Sequence, residues 1–488
     1  MPLQICRRLT PLFAVLILAG CASDNHIAPQ SSLLDTRQLH LHQEKVSSLS
    51  ISPQWWRSLN DPQLDELMTT ALQNSPSLRQ AAARVREAQS VMEKADAANG
   101  PYLDLNGSMR RERVAKNTIP PFLSRYPDAP IYDNSNSLGL NLSYEFDWWG
   151  KYRNQANAAQ AQVDSSRAEQ AEAALTLTCS VASAYYQLQA NLALQDVLRN
   201  QVDNHRRLAD LRQAQYQAGV YGIEIPQQTR AQADGAKQQL IVLSSQSEQL
   251  RHQLSALAGR GPDAMNGLRA VTPPSADALA PKGELTLDLL GQRPDITAQR
   301  DLVESYSQRV SAAKKAFYPS LAISAFGGLT TTNSPNLLEA ASKAWNIAPA
   351  ISLPIFHAGA LRAQLGAESA LFDQSVESYN QTILNAIQQT ADAITLSKSS
   401  AEQLQQASFA AKSLEEAYRV SEARYRVGII GRDERLSSQL AFQQQQQAQL
   451  RAGSQLMQAK IRLIQALGGG YQAPAADKNH NRHMWRRS

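Results

Sequence analysis

The chain has 488 residues, which is enough for several domains or for one large repetitive architecture. Only 19 % of the residues are charged and 6 % are aromatic, which favours long helices over a compact globule with a large aromatic core. The net charge of +5 arises at the two ends of the chain, and the sequence between them is neutral overall. A nucleic-acid-binding protein needs a basic face in its folded body, so we expect no nucleic-acid partner.

The chain begins with the features of a secretory signal. Two arginines precede the apolar run LFAVLILAG, which is too short to span a bilayer. The run ends in Leu18-Ala19-Gly20-Cys21, which resembles a bacterial lipobox. The resemblance implies cleavage before Cys21, a diacylglycerol and a fatty acyl chain on its thiol, and sorting to the outer membrane. An ordinary signal with an unrelated cysteine is the alternative. We therefore predict a signal peptide at 1–20 and a lipidated linker at 21–60.

The rest of the chain contains an internal repeat, which points to a repetitive architecture. The aligned pairs of segments are PYLDLNG (101–107) with PSLAISA (319–325), FDWWGKYR (146–153) with IFHAGALR (355–362), and YQAGVYG (216–222) with YRVGIIG (425–431). We predict repeat 1 at 61–279, repeat 2 at 280–474 and a basic, disordered tail at 475–488.

Each repeat shows the same order of elements: a helix, a β-hairpin and a long pair of antiparallel helices. Apolar residues alternate with polar ones in two stretches of each copy, which predicts hairpins at about 102–147 and 320–356. Pro349 and Pro354 weaken the last predicted strand. Long stretches rich in Ala, Gln and Leu follow, with few prolines, and predict helix pairs at about 150–258 and 359–467. The first helix of each pair would be about 100 Å long.

The predicted strands suit a membrane. No segment after the signal has the roughly 18 apolar residues that a spanning helix needs, whereas Trp148, Trp149 and Trp345 lie near strand ends, as interfacial girdle residues do. A half-buried soluble sheet is the alternative. Four strands cannot close a barrel alone, because transmembrane barrels start at about eight strands. The barrel would be shared between subunits, with Gly150 and Gly359 at the strand-to-helix junctions.

The sequence resembles the TolC family of outer-membrane efflux proteins, in its NodT-like lipoprotein branch. The segments that carry the resemblance are the lipobox at 18–21, WWRSLNDPQLDEL (55–67), FDWWGKYR (146–153), RPDI (293–296), AAKKAFYPSL (312–321), LPIFHAGALR (353–362), YRVG (425–428) and LGGGYQ (467–472). The resemblance implies a homotrimer with a twelve-stranded β-barrel continued by a twelve-helix periplasmic α-barrel. It also implies a periplasmic adaptor, an inner-membrane pump and the export of drugs. His357 stands where the family usually has Asp, and we expect it to alter a local cap.

The far ends of the long helix pairs are the candidate functional positions. Glu224 aligns with Asp433, and three copies would place six carboxylates at the narrow end, where links to Arg432 or Arg435 could hold the duct shut. The alternative is that Asp433 is only the N-cap of the returning helix. The candidates for adaptor contact are Gly219, Gly222, Gly428 and Gly431.

No motif for catalysis, metal binding or a cofactor occurs in the sequence. We therefore expect a passive duct for small molecules and not an enzyme. A duct for type I protein secretion or for metal-ion efflux would show the same sequence features, so both remain alternatives.

Overall fold

The computed structural model describes residues 27–34, 51–113, 132–279, 293–332 and 334–473. The signal peptide, Cys21 and the basic tail lie outside the described residues. The helices are α1 (Pro62–Asn74), α2 (Pro76–Ala97), α3 (Lys151–Gln217), α4 (Glu224–Leu257), α5 (Pro294–Lys315), α6 (Ala360–Arg426) and α7 (Arg432–Ala466). The strands are β1 (Tyr102–Arg113), β2 (Tyr132–Phe146), β3 (Ser320–Thr331) and β4 (Lys343–Ser352). Among the described residues, no helix combines the length and apolar character needed to cross a bilayer.

The long helices and the two hairpins lie in the order that the sequence predicts. One boundary differs: the second hairpin was expected to continue to residue 356, but β4 ends at Ser352. Leu353 and Ile355 therefore lie outside the strand, because Pro354 between them has no N–H to donate to a ladder. Pro349 is accepted within β4, which is an edge strand.

The described chain forms two compact units that do not coincide with the two repeats. The first contains 86–164 and 300–378, and the second contains 51–85, 165–279, 293–299 and 379–473 within the described residues. Each unit therefore combines equivalent segments of both repeats.

The first compact unit contains one antiparallel sheet in the order β1-β2-β3-β4. Its register places Leu103 opposite Leu142, Leu142 opposite Ala325, and Ala325 opposite Ile347. Because side chains alternate between faces, this register collects most of the large apolar residues of the four strands on one face. The opposite face carries mainly small and polar residues, with Phe326 and Tyr102 as aromatic exceptions: Asp104, Asn106 and Ser108 on β1, Asn141 and Ser143 on β2, Ser324 and Thr330 on β3, and Asn346 and Ser352 on β4.

The second compact unit holds the main hydrophobic core. Trp55 and Trp56 are buried there, together with Leu64, Met68, Tyr185, Tyr186, Leu254 and Met457. Asp61 is the N-cap of α1, where its carboxylate accepts the backbone N–H groups of Gln63 and Leu64 at 3.1 Å. The same carboxylate accepts the Tyr185 hydroxyl at 2.9 Å, which ties α1 to α3.

Outside that core, α3 and α7 contact each other through pairs of polar side chains. The Asn204 amide donates to Gln443 at 3.2 Å, and Gln447 donates to Gln201. Gln443 and Gln447 are buried. Nearer the helix ends, Leu208 of α3 and Leu436 and Leu440 of α7 form a small buried apolar cluster. The interface therefore combines hydrogen bonds between amide side chains with local apolar packing.

Candidate functional site

The first strand-to-helix junction is capped by an acid. Gly150 has φ of +80°, a left-handed conformation that a residue with a Cβ adopts only with strain, so glycine is favoured there. The Asp147 carboxylate accepts the backbone N–H groups of Tyr152 at 3.1 Å and Arg153 at 2.8 Å. These bonds satisfy two of the free donors at the start of α3 and place a negative charge at the positive end of the helix dipole.

Side chains of β2 also fasten this first junction. The Glu145 carboxylate accepts the Lys151 ammonium at 3.0 Å and the Tyr152 hydroxyl at 2.8 Å. Of the two tryptophans, Trp149 donates its indole N–H to the Pro319 carbonyl at 2.7 Å and stacks on Tyr318. Trp149 therefore links the junction to the start of β3.

The other two tryptophans that we predict as girdle residues are much more exposed than Trp149. Trp148 is 74 % exposed and Trp345 is 79 % exposed. Trp345 lies opposite Gly327 on the apolar face of the sheet.

The second junction lacks these supports. Its first helical turn, in α6, contains no acidic residue, and the counterpart of Asp147 is Phe356. The His357 carbonyl accepts the Ala360 N–H at 2.9 Å, and its exposed side chain makes no hydrogen bond with a described residue. Gly359 has φ of +84°, and Ala358 before it has φ of +48°. Ala358 thus occupies a left-handed conformation, which is energetically unfavourable for residues that have a Cβ.

The far ends of the two helix pairs have the same backbone geometry. After α3, Gly219 has φ of +74°, its N–H donates to the Tyr216 carbonyl, and the Val220 N–H donates to Gln215. After α6, Gly428 has φ of +76° and the same pair of bonds recurs, including Ile429 N–H to the Arg424 carbonyl. Both turns are Schellman motifs, which need a left-handed residue, usually glycine.

Apolar side chains project from both turns into solvent. Val220, Ile223, Val427 and Ile429 are all exposed. The two other candidate glycines, Gly222 and Gly431, precede the returning helices, and the carboxylates of Glu224 and Asp433 occupy the space where their Cβ atoms would lie. The turn at the far end of each helix pair thus combines a glycine, two exposed apolar side chains and an acidic residue.

The two aligned acids have different surroundings. Asp433 pairs with Arg212 at 3.1 Å, so this carboxylate links the end of α3 to the start of α7. The Arg212 guanidinium also lies over the Tyr221 ring, 4.7 Å from its centroid. Glu224 is exposed at the first residue of α4 and makes no ion pair with a described residue.

The partner that the structure assigns to Asp433 was not among those expected. Arg432 is exposed and makes no ion pair with a described residue, and Arg435 pairs with Glu422 at 2.8 Å. The N-cap alternative is wrong, because the N-cap of α7 is Gly431 and Asp433 lies in the first turn. Arg212 was missed because its counterpart in repeat 2 is Ser421, so that comparison of the repeats gives no signal.

Comparison with known proteins decides the family. The family model described as Outer membrane efflux protein matches residues 67–260 and 285–469. The chain belongs to this family. The prediction of an outer-membrane efflux protein is thereby confirmed, and as a family member the chain is an outer-membrane exit duct of a tripartite efflux system and not an enzyme.

Several relatives align with this chain over most of its length. It is 31 % identical to the multidrug resistance outer membrane protein MdtP of Escherichia coli over 476 residues, which are 95 % of this chain and 96 % of MdtP. It is 35 % identical to the fusaric acid resistance protein FusA of Burkholderia cepacia over 376 residues, 74 % of this chain and 69 % of FusA.

The fold is also that of solved outer-membrane channels. The structure of VceC from Vibrio cholerae matches with a TM-score of 0.75 and 30 % identity, covering 86 % of this chain and all of VceC. The CmeC channel of Campylobacter jejuni matches with a TM-score of 0.78 over 93 % of this chain and 97 % of CmeC, at 22 % identity. The expectation of a mainly α fold with a β part is confirmed.

Metal binding has no support among the described residues, which contain no group of three or more His, Cys, Asp or Glu side chains arranged to hold an ion.

We expect Ala358→Gly to stabilise the protein by about 0.5–1 kcal/mol, because glycine relieves the left-handed strain at the second junction and only part of that gain is lost to chain entropy. The change should appear as a higher midpoint in chemical unfolding of the detergent-purified protein.

The matched control is Ala363→Gly, in the first turns of α6, where the backbone is already helical. This variant should lower stability by up to about 1 kcal/mol. Equal effects of the two substitutions would contradict the assignment of strain to Ala358.

Proposed function

We propose that three copies of this chain share one transmembrane β-barrel and one periplasmic α-barrel. The observation that carries the proposal is the sheet itself: its apolar face is exposed, and β1 and β4 have no partner strand among the described residues. Hydrocarbon does not tolerate open strand edges, so the edges must be paired by other copies. Three copies of four strands give twelve, which exceeds the roughly eight at which transmembrane barrels start.

We propose drugs and other small toxic compounds as the transported substrates. The sheet face opposite the apolar one carries small and polar residues, which suits an aqueous lumen. The names of MdtP and FusA connect those relatives with multidrug and fusaric acid resistance. Type I protein secretion and metal-ion efflux stay as alternatives.

The partners in this proposal are a periplasmic adaptor and an inner-membrane pump. The glycine turns at Gly219 and Gly428, with Gly222 and Gly431 beside them, are the proposed adaptor contacts. Their support is the exposure of Val220 and Ile429 at the two turns, since apolar side chains held out by a rigid turn suit docking to another protein.

A lipid on Cys21 is the proposed anchor in the outer membrane. Of the other cysteines, Cys6 lies within the predicted signal peptide and Cys179 is buried in the core of the second compact unit. Burial raises the pKa of the Cys179 thiol to about 12, so this thiol stays protonated and inert at physiological pH. Cys21 is therefore the cysteine available for acylation.

The proposed gate is the link between the two repeats at the helix tips. Arg212 and Asp433 are each largely buried, and Arg212 is held in place by Tyr221. Opening the narrow end requires the end of α3 to separate from the start of α7, so it breaks this pair in each copy. Glu224, which makes no ion pair with a described residue, is the proposed source of cation attraction, and Arg432, the exposed first residue of α7, is the remaining gate candidate.

We expect the detergent-purified protein to have the mass of three chains by light scattering and to form ion-conducting pores in planar bilayers. Both results follow from closure of the barrel by three copies. A stable monomer with no pore-forming activity would contradict the proposal.

We expect the intact mass of the mature chain to equal that of residues 21–488 plus a diacylglycerol and one fatty acyl chain. Cys21→Ser should lose the added mass, whereas Cys179→Ser should keep it. Retention of the lipid mass in the Cys21 variant would disprove acylation at this residue.

Removing the ion pair between Arg212 and Asp433 should open the pore. An ion pair of this kind contributes about 0.5–1 kcal/mol, so loss of three pairs in Arg212→Ala should raise the ratio of open to closed states about tenfold or more. Single-channel recording measures this ratio, and exchange of the two residues in Arg212→Asp with Asp433→Arg should restore the closed state.

The control for the gate is Arg419→Ala, which removes an exposed ion pair with Glu415 on the surface of α6. It should leave channel opening unchanged. If Arg212→Ala also leaves opening unchanged, the pair at the tips is not a gate.

A further inference from the structure

The apolar face of the sheet changes character toward its hairpin end, which we define as the end at Arg113, Tyr132, Thr331 and Lys343. On β2 the apolar residues run from Phe146 to Leu138, about 27 Å along the strand. Beyond them the same face carries Asn136 and Asn134, and on β1 it carries Arg111 and Arg113. The face therefore passes from an apolar band to a polar zone and ends in cations.

The two arginines on this face have no acidic partner among the described residues. Both side chains are exposed, and neither makes an ion pair with a described residue. Arg111 lies over the Tyr132 ring, 5.3 Å from its centroid, and Arg113 lies directly opposite Tyr132 in the register. By contrast, Arg110 points to the other face and pairs there with Glu112. On β1, the lumen-facing Arg110 therefore has an acidic partner, whereas the outward-facing Arg111 and Arg113 have none among the described residues.

The other edge of the sheet ends in the same way. Lys343 is the first residue of β4 and lies opposite Leu329, on the apolar face. Trp345 follows two residues later on that face and is exposed. In a barrel closed by three copies, β4 of one copy lies beside β1 of the next. Lys343 then contributes to the same outward zone as Arg111 and Arg113 of the neighbouring copy.

The position of these cations indicates what kind of ligand would bind them. Residues just beyond an apolar membrane band lie among lipid headgroups, where Tyr and Trp are enriched and Lys and Arg attract anionic lipids. Guanidinium groups match phosphate oxygens in a bidentate geometry. The two arginines are about 7 Å apart along one strand, so they suit a headgroup with more than one phosphate better than a phospholipid with a single phosphate.

We propose that Arg111, Arg113 and the neighbouring copy's Lys343 form a binding site for a phosphorylated glycolipid of the external leaflet, with its phosphates on the cations and its acyl chains on the apolar band. The proposal rests on the trimeric barrel and on hairpins that point outward from the cell. The charge of the site is complementary to the ligand, and the apolar residues below it fit the acyl chains.

Native mass spectrometry of the delipidated, purified protein tests the site. The lipids are a bisphosphorylated diglucosamine glycolipid, its dephosphorylated form and phosphatidylglycerol, each added in a titration. The wild-type protein should bind the bisphosphorylated glycolipid most tightly, and the variant with Arg111→Gln, Arg113→Gln and Lys343→Gln should bind it about tenfold or more weakly. Arg110→Gln, one residue away on the lumen face, should bind as the wild type does.

Three results would overturn the site: equal binding of the dephosphorylated glycolipid, equal binding of phosphatidylglycerol, or an equal loss in Arg110→Gln. If the triple variant fails to assemble, the single change Arg113→Gln at the strand end and the comparison of lipids on the wild type still decide the matter. The mass spectra also report assembly, so a monomeric wild type contradicts the proposed function, whereas a trimer that does not prefer the phosphorylated glycolipid contradicts only this site.

Discussion

The pairing of backbone groups in the four-stranded sheet is the constraint on which the rest of the structure depends. The sheet presents a continuous apolar face and two strand edges, β1 and β4, that the described chain leaves unpaired. Water could satisfy those edges in a soluble protein, but hydrocarbon cannot. The proposal that other copies complete the sheet in the outer membrane follows from this constraint.

The two junctions show how the repeats have diverged while keeping this geometry. In repeat 1, Asp147 caps α3 and Glu145 fastens Lys151 and Tyr152. In repeat 2, the equivalent turn has no acidic cap, and Ala358 accepts a left-handed conformation. Both junctions keep a glycine with positive φ, because the turn from strand to helix needs that conformation whatever surrounds it. The first junction is therefore the more firmly held.

The helices themselves are joined by unequal contacts. Around Trp55, Tyr185 and Leu254 the second compact unit has a close-packed apolar core, whereas further along α3 and α7 the contacts are hydrogen bonds between amide side chains and one small leucine cluster. A side-chain hydrogen bond exchanged for bonds to water changes the free energy little, and the loss of apolar packing costs much more. Near the tips, the contacts between α3 and α7 include the Arg212–Asp433 pair and the small buried cluster of Leu208, Leu436 and Leu440, which is far smaller than the main core.

Much of the architecture could be derived from the sequence because it depends on local periodicity. Alternation predicts the hairpins, proline-free stretches predict the long helices, and the repeat predicts that both occur twice. Glycine at 219 and 428 marks the two tip turns, since few other residues adopt a left-handed conformation readily. The family resemblance rests on segments spread over the whole chain. These features are determined by residues close together in sequence.

Other features were decided only by tertiary structure, because they join residues that are far apart in the chain and have no counterpart in the other repeat. The pairing of Asp433 with Arg212 instead of Arg432 or Arg435 depends on where α3 ends relative to α7. The divided roles of Trp148 and Trp149 depend on neighbours that alternation does not reveal. The sequence by itself determined which segments are helix and strand, because that choice is local; the three-dimensional register of those segments decided which charges meet and which stay unpaired.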